Sequence, residues 1–399
     1  MSVTVKKHFN RIIAVPELTH EVKVMPEVTE IELPDIFTPS DEIETEQSVL
    51  DRIGEAKAKL GKRVLILGHH YQRDEVIAFA DRTGDSYGLS AWAAKERDAE
   101  FVVFCGVHFM AETADILTDD HQAVILPDLS AGCSMADMAN VNQVKRAFRQ
   151  ITDMTGEEPI PLTYMNSSAE IKAFCGEHNG AVCTSSNARA ALVWAWQHGK
   201  RILFIPDEHL GRNTAYKLGI PLVEMVVWDP LQPNGNVETK ALNETRIVLW
   251  RGYCSVHQRF IPAHVDFFRS NYPGAKIIVH PECRFEVVDQ ADFAGSTDYI
   301  VKRIEQAAGE KPSSQWAIGT EHHLVGRLQK RFRTQLKISN LAFTTCNCAT
   351  MTRIDPIDLA DILEGLVRGN ISNRIRVSDS VKKWSKVALD RMLTIATGS

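Results

Sequence analysis

The 399-residue sequence lacks the features that mark several classes of protein. No apolar run approaches the roughly 20 residues that a membrane-spanning helix needs, so we expect no membrane association. The amino terminus has no basic region followed by an apolar stretch, which favours a cytoplasmic over an exported protein. Basic residues are not in excess, because the net charge is -6 at pH 7, and the charge gives no reason to expect a nucleic acid partner.

The sequence also has no Cys-x-x-Cys pair, which is the usual local signal of zinc ribbons and ferredoxin-type clusters. It nevertheless contains eight cysteines, at positions 105, 133, 175, 183, 254, 283, 346 and 348. In a cytoplasmic protein they are expected to be reduced, so metal binding or packing explains them better than disulfides. Cys105, Cys175 and Cys183 lie in apolar segments and are expected to pack in the core.

Short apolar strands alternate with helical stretches along most of the chain. Apolar runs at residues 101–105, 123–126, 202–205 and 247–250 are separated by segments of helical spacing. This alternation predicts an α/β protein, with parallel sheets covered by helices on both faces. The length predicts two or three domains. Residues 1–47, rich in Pro, Glu and Thr, are expected to form an N-terminal extension that carries no chemistry.

The regular part of the chain divides into three copies of one unit. In each copy an apolar strand (residues 64–67, 160–163 or 276–279) leads into polar residues, then a hydroxyl-rich turn, a helix, a second strand and a cysteine. We therefore expect three pseudo-repeated, three-layer αβα domains with short parallel sheets around a pseudo-threefold axis. Their boundaries are predicted at residues 48–138, 139–260 and 261–399, with an insertion near 221–244 in the second copy.

Polar side chains follow the first strand of every copy, where ligands bind in parallel α/β sheets. These candidates are His69, Tyr71, Tyr164, Asn166, His280 and Glu282. Hydroxyls also recur where the next helix begins, at Ser86, Ser185, Ser296 and Thr297, and helix amino termini favour anions. Any one of these hydroxyls is most simply a helix cap, but their recurrence in all copies favours an anion-binding role for the set.

Each copy ends in a cysteine within a loop, and these are Cys133, Cys254 and Cys348. Three thiolates from distant positions suit an iron–sulfur cluster with one iron left open to act as a Lewis acid. A zinc-dependent hydrolase using Cys254, His257 and a carboxylate is the competing interpretation. A redox sensor without catalysis is a third, but a sensor needs no convergent array of His, Tyr, Asn and Glu.

From about residue 61 to 366 the sequence resembles the quinolinate synthase family, in a variant with an N-terminal extension. The matching motifs are Gly68-His-His-Tyr-Gln, Gly84-Asp-Ser, Cys105-Gly-Val-His-Phe-Met-Ala-Glu-Thr-Ala, Thr163-Tyr-Met-Asn-Ser-Ser-Ala-Glu, Cys183-Thr-Ser-Ser-Asn-Ala, Cys254-Ser-Val-His, His280-Pro-Glu-Cys and Gly295-Ser-Thr. The resemblance implies three α/β domains around a pseudo-threefold axis and a 4Fe-4S cluster held by one cysteine of each domain. It also implies a transferase that condenses iminoaspartate with dihydroxyacetone phosphate to give quinolinate, phosphate and water in NAD biosynthesis.

The resemblance carries roles onto individual residues. It implies Cys133, Cys254 and Cys348 as cluster ligands, and a functional coupling to L-aspartate oxidase. The implied substrate-binding residues are His69, Ser86, Tyr164, Asn166, Ser185, His257, His280, Glu282, Ser296 and Thr297. We expect Glu282 to be the general base, with Tyr71, His69 and His280 as the other catalytic residues. The sequence departs from many members at Ala349, and Cys346 is close enough to Cys348 to compete for the cluster.

Overall fold

The structure, a computed structural model, describes residues 45–397. Most of the predicted extension, residues 1–44, therefore lies outside the described residues. The described helices are α1 (Glu46–Leu60), α2 (Asp74–Ile77), α3 (Ser86–Ala93), α4 (His108–Leu117), α5 (Ser134–Asp137), α6 (Val141–Thr155), α7 (Ala169–Glu177), α8 (Ala188–His198), α9 (Glu208–Lys217), α10 (Thr239–Glu244), α11 (Pro262–Asn271), α12 (Phe285–Gln290), α13 (Thr297–Glu310), α14 (His322–Arg331), α15 (Pro356–Val367) and α16 (Asp379–Thr397).

The strands form three sheets in which every pairing is parallel. They are β1 (Val64–His69), β2 (Arg82–Gly84), β3 (Phe101–Cys105), β4 (Ala123–Ile125), β5 (Ile160–Tyr164), β6 (Ala181–Cys183), β7 (Ile202–Ile205), β8 (Met225–Trp228), β9 (Ile247–Trp250), β10 (Lys276–Val279), β11 (Phe293–Ala294), β12 (Gln315–Gly319) and β13 (Lys337–Asn340). The predicted fold class is confirmed: the protein is α/β, with three short all-parallel sheets and helices.

The three sheets share one strand order. It runs β2-β1-β3-β4 in the first sheet, β6-β5-β7-β9 in the second and β11-β10-β12-β13 in the third. The second sheet adds β8 beyond β9, and β8 lies within residues 221–244, where the sequence predicts an insertion. The predicted insertion segment therefore contributes an edge strand without disturbing the four strands that the sheets have in common.

Alternate residues of single strands enter different cores, which is why the sheets need helices on both faces. In β10, Ile277 and Val279 belong to one hydrophobic cluster and Ile278 to another. In β7, Leu203 and Ile205 likewise face one cluster while Phe204 faces the other. Strands buried on both faces read as continuous apolar runs, which is how these segments appear in the sequence.

The last two helices pack away from the third sheet. Helix α15 is joined to α1 by the ion pair of Arg52 Nε with Glu364 Oε1 at 2.9 Å. Helix α16 packs on α7, where the Ser385 hydroxyl donates to the Ala169 carbonyl at 2.8 Å. The carboxyl-terminal residues thus tie together the helices of the first two repeats, while the domain boundaries at 138 and 260 remain predictions. Within residues 45–397, no helix combines the length and apolar character needed to cross a membrane.

Candidate active site

Residues from all three repeats line one cavity. Its wall contains twelve of the residues singled out from the sequence: His69, Tyr71, Ser86, Cys133, Tyr164, Asn166, Ser185, Cys254, His280, Glu282, Thr297 and Cys348. The strand-end residues and the three terminal cysteines are therefore brought together. Two further candidates lie behind the wall. His257 is buried against Glu282, and Ser296 caps α13 by accepting a hydrogen bond from the Tyr299 amide at 3.3 Å.

The three cysteine turns are held by the same backbone hydrogen bond. In each repeat one helix (α4, α9 or α14) follows the strand β3, β7 or β12. The first residue of this helix donates its amide to the carbonyl two residues before the cysteine. The pairs are His108 with Ala131, Glu208 with Gly252, and His322 with Cys346, each at 2.9 Å. Cys346 thus occupies the backbone position of Ala131 and Gly252, and Cys348 occupies the position of Cys133 and Cys254. Cys346 also lies in a hydrophobic cluster, where its thiol contacts the Thr344 carbonyl at 3.6 Å.

Each of these three cysteines also begins a helical turn. The carbonyls of Cys133, Cys254 and Cys348 accept a hydrogen bond from the amide four residues later, at 3.0, 2.9 and 3.1 Å. Amides that lie two or three residues after each cysteine, such as those of Ala136, His257 and Met351, are close to its sulfur. Backbone donors near a sulfur stabilise a thiolate, so these amides lower the pKa of each thiol and offset part of the effect of burial.

Burial opposes that charge while no cation is present. It raises the pKa of the Cys133 thiol to about 12 and raises the pKa of the Cys254 and Cys348 thiols as well. Three partly buried thiols around one cavity become thiolates together most readily when a metal compensates their charge. The donor set therefore fits a metal or metal cluster bound by three cysteines.

A chain of hydrogen bonds joins the candidate base to a tyrosine. Glu282 Oε2 lies 2.8 Å from His257 Nδ1, and His257 Nε2 lies 3.1 Å from the Thr320 hydroxyl. The Thr320 hydroxyl is 2.9 Å from the Tyr71 hydroxyl, which is also 3.3 Å from that of Thr297. A proton can pass along such a chain between the Glu282 carboxylate and the Tyr71 hydroxyl, which follows β1.

The cavity holds a carboxylate beside neutral imidazoles. Burial by itself would raise the pKa of Glu282, but the hydrogen bonds from His257 and Tyr164 outweigh it and hold this pKa below its ordinary value. Burial lowers the pKa of His69 and of His280 to about 3, and it raises the pKa of Tyr71. Glu282 is therefore ionised near neutral pH, while His69 and His280 are uncharged. Each of these rings uses Nδ1 to accept a backbone amide, so its Nε2 carries the hydrogen and can donate a hydrogen bond.

Thr320 and Glu321 were missed by the sequence analysis as site residues. Thr320 follows β12 directly and bridges His257 to Tyr71. The Glu321 carboxylate caps α14 and accepts the Cys348 amide at 3.4 Å. Both come directly after β12, the apolar strand that pairs with β10, so applying the strand-end rule to this strand as well as to β10 would have found them.

One trio of side chains in residues 45–397 has the composition of a zinc site. The Cys254 sulfur, a His257 ring nitrogen and a Glu282 oxygen lie within 4.8 Å of one another. These are the types of donor expected for the competing zinc hydrolase. In the structure, however, His257 and Glu282 are hydrogen-bonded to each other at 2.8 Å.

Comparison with known proteins identifies the family. The sequence model described as "Quinolinate synthetase A protein" matches residues 51–394. The chain belongs to the quinolinate synthase A family. Among its relatives is the quinolinate synthase of Acidobacterium capsulatum, 55% identical over 353 residues that cover 88% of this chain and 94% of the relative. Those of Streptomyces coelicolor and Halalkalibacterium halodurans are each 51% identical, covering 90% of this chain and 90% and 96% of their own lengths.

Membership of the quinolinate synthase A family confirms the resemblance read from the sequence motifs, and the chain is an enzyme. It also agrees with the site geometry, because the matched region contains all three sheets and every residue of the cavity wall.

Proposed function

We propose that this enzyme condenses iminoaspartate with dihydroxyacetone phosphate to give quinolinate, phosphate and water for NAD biosynthesis. The observation that carries the proposal is the set of three equivalent cysteine turns around a cavity that is also lined by Glu282, Tyr71, His69 and His280. The names of the relatives support quinolinate as the product. Cytoplasmic location and coupling to L-aspartate oxidase remain predictions from the sequence.

The cofactor in this proposal is a 4Fe-4S cluster held by Cys133, Cys254 and Cys348. Three thiolates leave one iron without a protein ligand, and such an iron supplies Lewis acidity towards a hydroxyl or carboxylate of the substrate. The backbone amides that face each sulfur support thiolate ligation at all three positions. Cys346 is left out because its carbonyl, two residues before Cys348, has the role that Ala131 and Gly252 have in the other turns.

The chain's own residues supply the proton transfers that the condensation needs. We assign the acceptance of a proton from the bound substrates to Glu282, because it is an ionised carboxylate in the cavity wall and is hydrogen-bonded to His257, which leads on to Thr320. The hydroxyls of Thr320 and Tyr71 continue the hydrogen-bonded chain and can return a proton elsewhere in the cavity. His69, whose Nδ1 accepts the Tyr71 amide at 3.1 Å, keeps its Nε2 available on the cavity side.

Substrate orientation falls to hydroxyl and amide groups. Ser86 and Thr297 lie in the first turns of α3 and α13, where unpaired backbone amides favour a phosphate or carboxylate. Ser185 and Asn166 line the wall contributed by the second repeat. We assign these four residues to anion binding, while Ser296 acts through the cap of α13.

The zinc hydrolase stays the second candidate because of the Cys254, His257 and Glu282 trio. One anaerobic experiment separates the two functions. Protein reconstituted with iron and sulfide is expected to form quinolinate from oxaloacetate, ammonia and dihydroxyacetone phosphate, and to lose activity in air. Quinolinate formation that followed zinc content and survived air would overturn the iron–sulfur cofactor. Absence of quinolinate from iron-loaded protein would reject the proposed condensation and leave the zinc hydrolase as the better candidate.

A further inference from the structure

Asn213 joins the second repeat to the turn that carries Glu282. It lies in α9, is 2% exposed, and its Nδ2 donates to the carbonyls of Pro281 and Cys283, both at 2.8 Å. These carbonyls flank Glu282 on either side. Both amide hydrogens of one side chain are therefore used to hold the backbone around the candidate base.

The turn at residues 280–283 is also held to β12, because the His280 amide donates to the Gly319 carbonyl at 3.1 Å and the Cys283 thiol lies 3.7 Å from the same oxygen. The Cys283 amide donates to the His280 carbonyl at 3.0 Å, which closes the turn, and the Glu282 amide donates to His280 Nδ1 at 3.3 Å. Pro281 has no amide hydrogen to donate. The bonds within the turn fix its shape and those to Gly319 fix its position on the third sheet. The two bonds from Asn213 hold the carbonyls on either side of Glu282 against the second repeat, to which Arg284 Nε also donates, at 3.1 Å from the Gln258 carbonyl.

Helix α9 is a firm base for such a restraint. Asp207 caps it by accepting the amides of His209 and Leu210 at 2.7 and 2.9 Å. A methyl group at Gly211 would lie 2.6 Å from Leu249, so the helix lies close against β9. The ring of Tyr216 also contacts that of Phe285 in α12 with centroids 4.9 Å apart. A small shift of α9, or loss of the Asn213 side-chain amide, would therefore displace the backbone on either side of Glu282.

We propose that Asn213 is a positioning residue, which holds Glu282 at hydrogen-bonding distance from His257 by fixing the turn across the boundary between repeats. The inference rests on the proposed role of Glu282 as base. It deepens that role by making the geometry of a third-repeat catalytic group depend on a second-repeat helix.

The test compares Asn213→Ala with a matched control. Gln122 is also 2% exposed, and its Nε2 donates to the carbonyls of Glu96 and Ala99, both at 3.1 Å, in the first repeat. Gln122→Ala removes the same kind of paired hydrogen bonds, but at a place remote from Glu282. We expect both variants to lose similar thermal stability and keep full iron content, but only Asn213→Ala to lower kcat, by about tenfold to a hundredfold with KM little changed.

A double variant decides whether the loss is exerted through Glu282. If it is, adding Asn213→Ala to Glu282→Gln lowers kcat no further, because the base is already absent. Fully additive losses, or a kcat in Asn213→Ala equal to that of Gln122→Ala, would overturn the proposal.

A structural measurement keeps the test independent of the reaction. In a crystal structure of Asn213→Ala, we expect the Glu282 carboxylate to have left His257, with Oε2 to Nδ1 beyond hydrogen-bonding distance. An unchanged distance would reject the positioning role even if the wild-type enzyme made no quinolinate. If only the proposed function were wrong, the Glu282 carboxylate would still be displaced in Asn213→Ala, but the wild-type enzyme would form no quinolinate.

Discussion

At the residue scale, the sequence identifies which groups converge but not how they bond. Glu282 and His257 each follow from strand-end position or family motif, yet the hydrogen bond between them joins residues 25 positions apart. No periodicity or motif specifies such a pair, because it depends on how the third sheet lies against the loop after Cys254. Thr320 is a single hydroxyl in a sequence with many, and only its two partners distinguish it.

Replacing Glu282 tests the assignment of the base. Glu282→Gln keeps the shape but cannot accept a proton, so turnover should fall by about two to four decades while iron and sulfide content stays normal. The exposed Glu286 in the following helix, changed to Gln, is the control and should leave turnover unchanged. Near-normal turnover in Glu282→Gln would transfer the base role to Tyr71 or His280.

Acid should destabilise the metal-free protein through His69. Its pKa is about 3 in the folded state and 6.5 otherwise, chiefly because burial disfavours the charged ring. The unfolded chain therefore binds a proton that the folded protein excludes, and the free energy of unfolding falls as pH drops from about 6.5 towards 3. The contribution is about 1.4 kcal/mol per pH unit in that window. Urea unfolding at a series of pH values gives the slope of the free energy of unfolding against pH. In this window we expect that slope to be shallower by this amount in His69→Gln than in the wild-type protein, and equal slopes would contradict the prediction.

At the element scale, the repeat pattern could be predicted from the sequence because the three sheets are built from the same series of elements. Strand, hydroxyl turn, helix and cysteine recur because each sheet needs the same connections. The amide that points at each sulfur is invisible in the sequence, since any residue other than proline supplies one. Strand β13 was not predicted, because Lys337-Ile-Ser-Asn is too polar to read as a buried strand. Strand β8 was hidden in the predicted insertion, next to an irregular turn at residues 233–236.

The equivalence of these turns predicts which cysteines hold the cluster. Single changes of Cys133, Cys254 or Cys348 to Ala should abolish bound iron and activity, because each removes one of three thiolates. Cys346→Ala is the matched control. It should retain iron and cost on the order of 1 kcal/mol of packing. Iron and acid-labile sulfide analysis after anaerobic purification gives the answer, and full iron in Cys348→Ala would move the third ligand to Cys346.

At the scale of the whole molecule, the α/β class and the number of sheets follow from alternation and repetition in the sequence. The destination of the carboxyl-terminal helices does not. Residues 379–397 follow the third repeat in the chain, but α16 packs on α7 and donates from Arg391 to the carbonyls of Gly176 and Gly180, at 3.2 and 2.7 Å. An amphipathic helix shows that one face is buried, but its sequence does not name the surface that covers it.

Gly176 tests this long-range packing. A methyl group there would lie 2.0 Å from the Trp384 carbonyl oxygen, a backbone atom that cannot move without shifting α16. Gly176→Ala should therefore destabilise the protein by roughly 1–3 kcal/mol or more, despite the better helix propensity of alanine. Gly309, in helix α13, has nothing within 4 Å of the same methyl position, so Gly309→Ala should stabilise by up to about 1 kcal/mol. Urea unfolding of the two variants gives opposite signs if α16 packs on α7 as described. Stabilisation by both would mean that the close approach of α16 to Gly176 does not exist in solution.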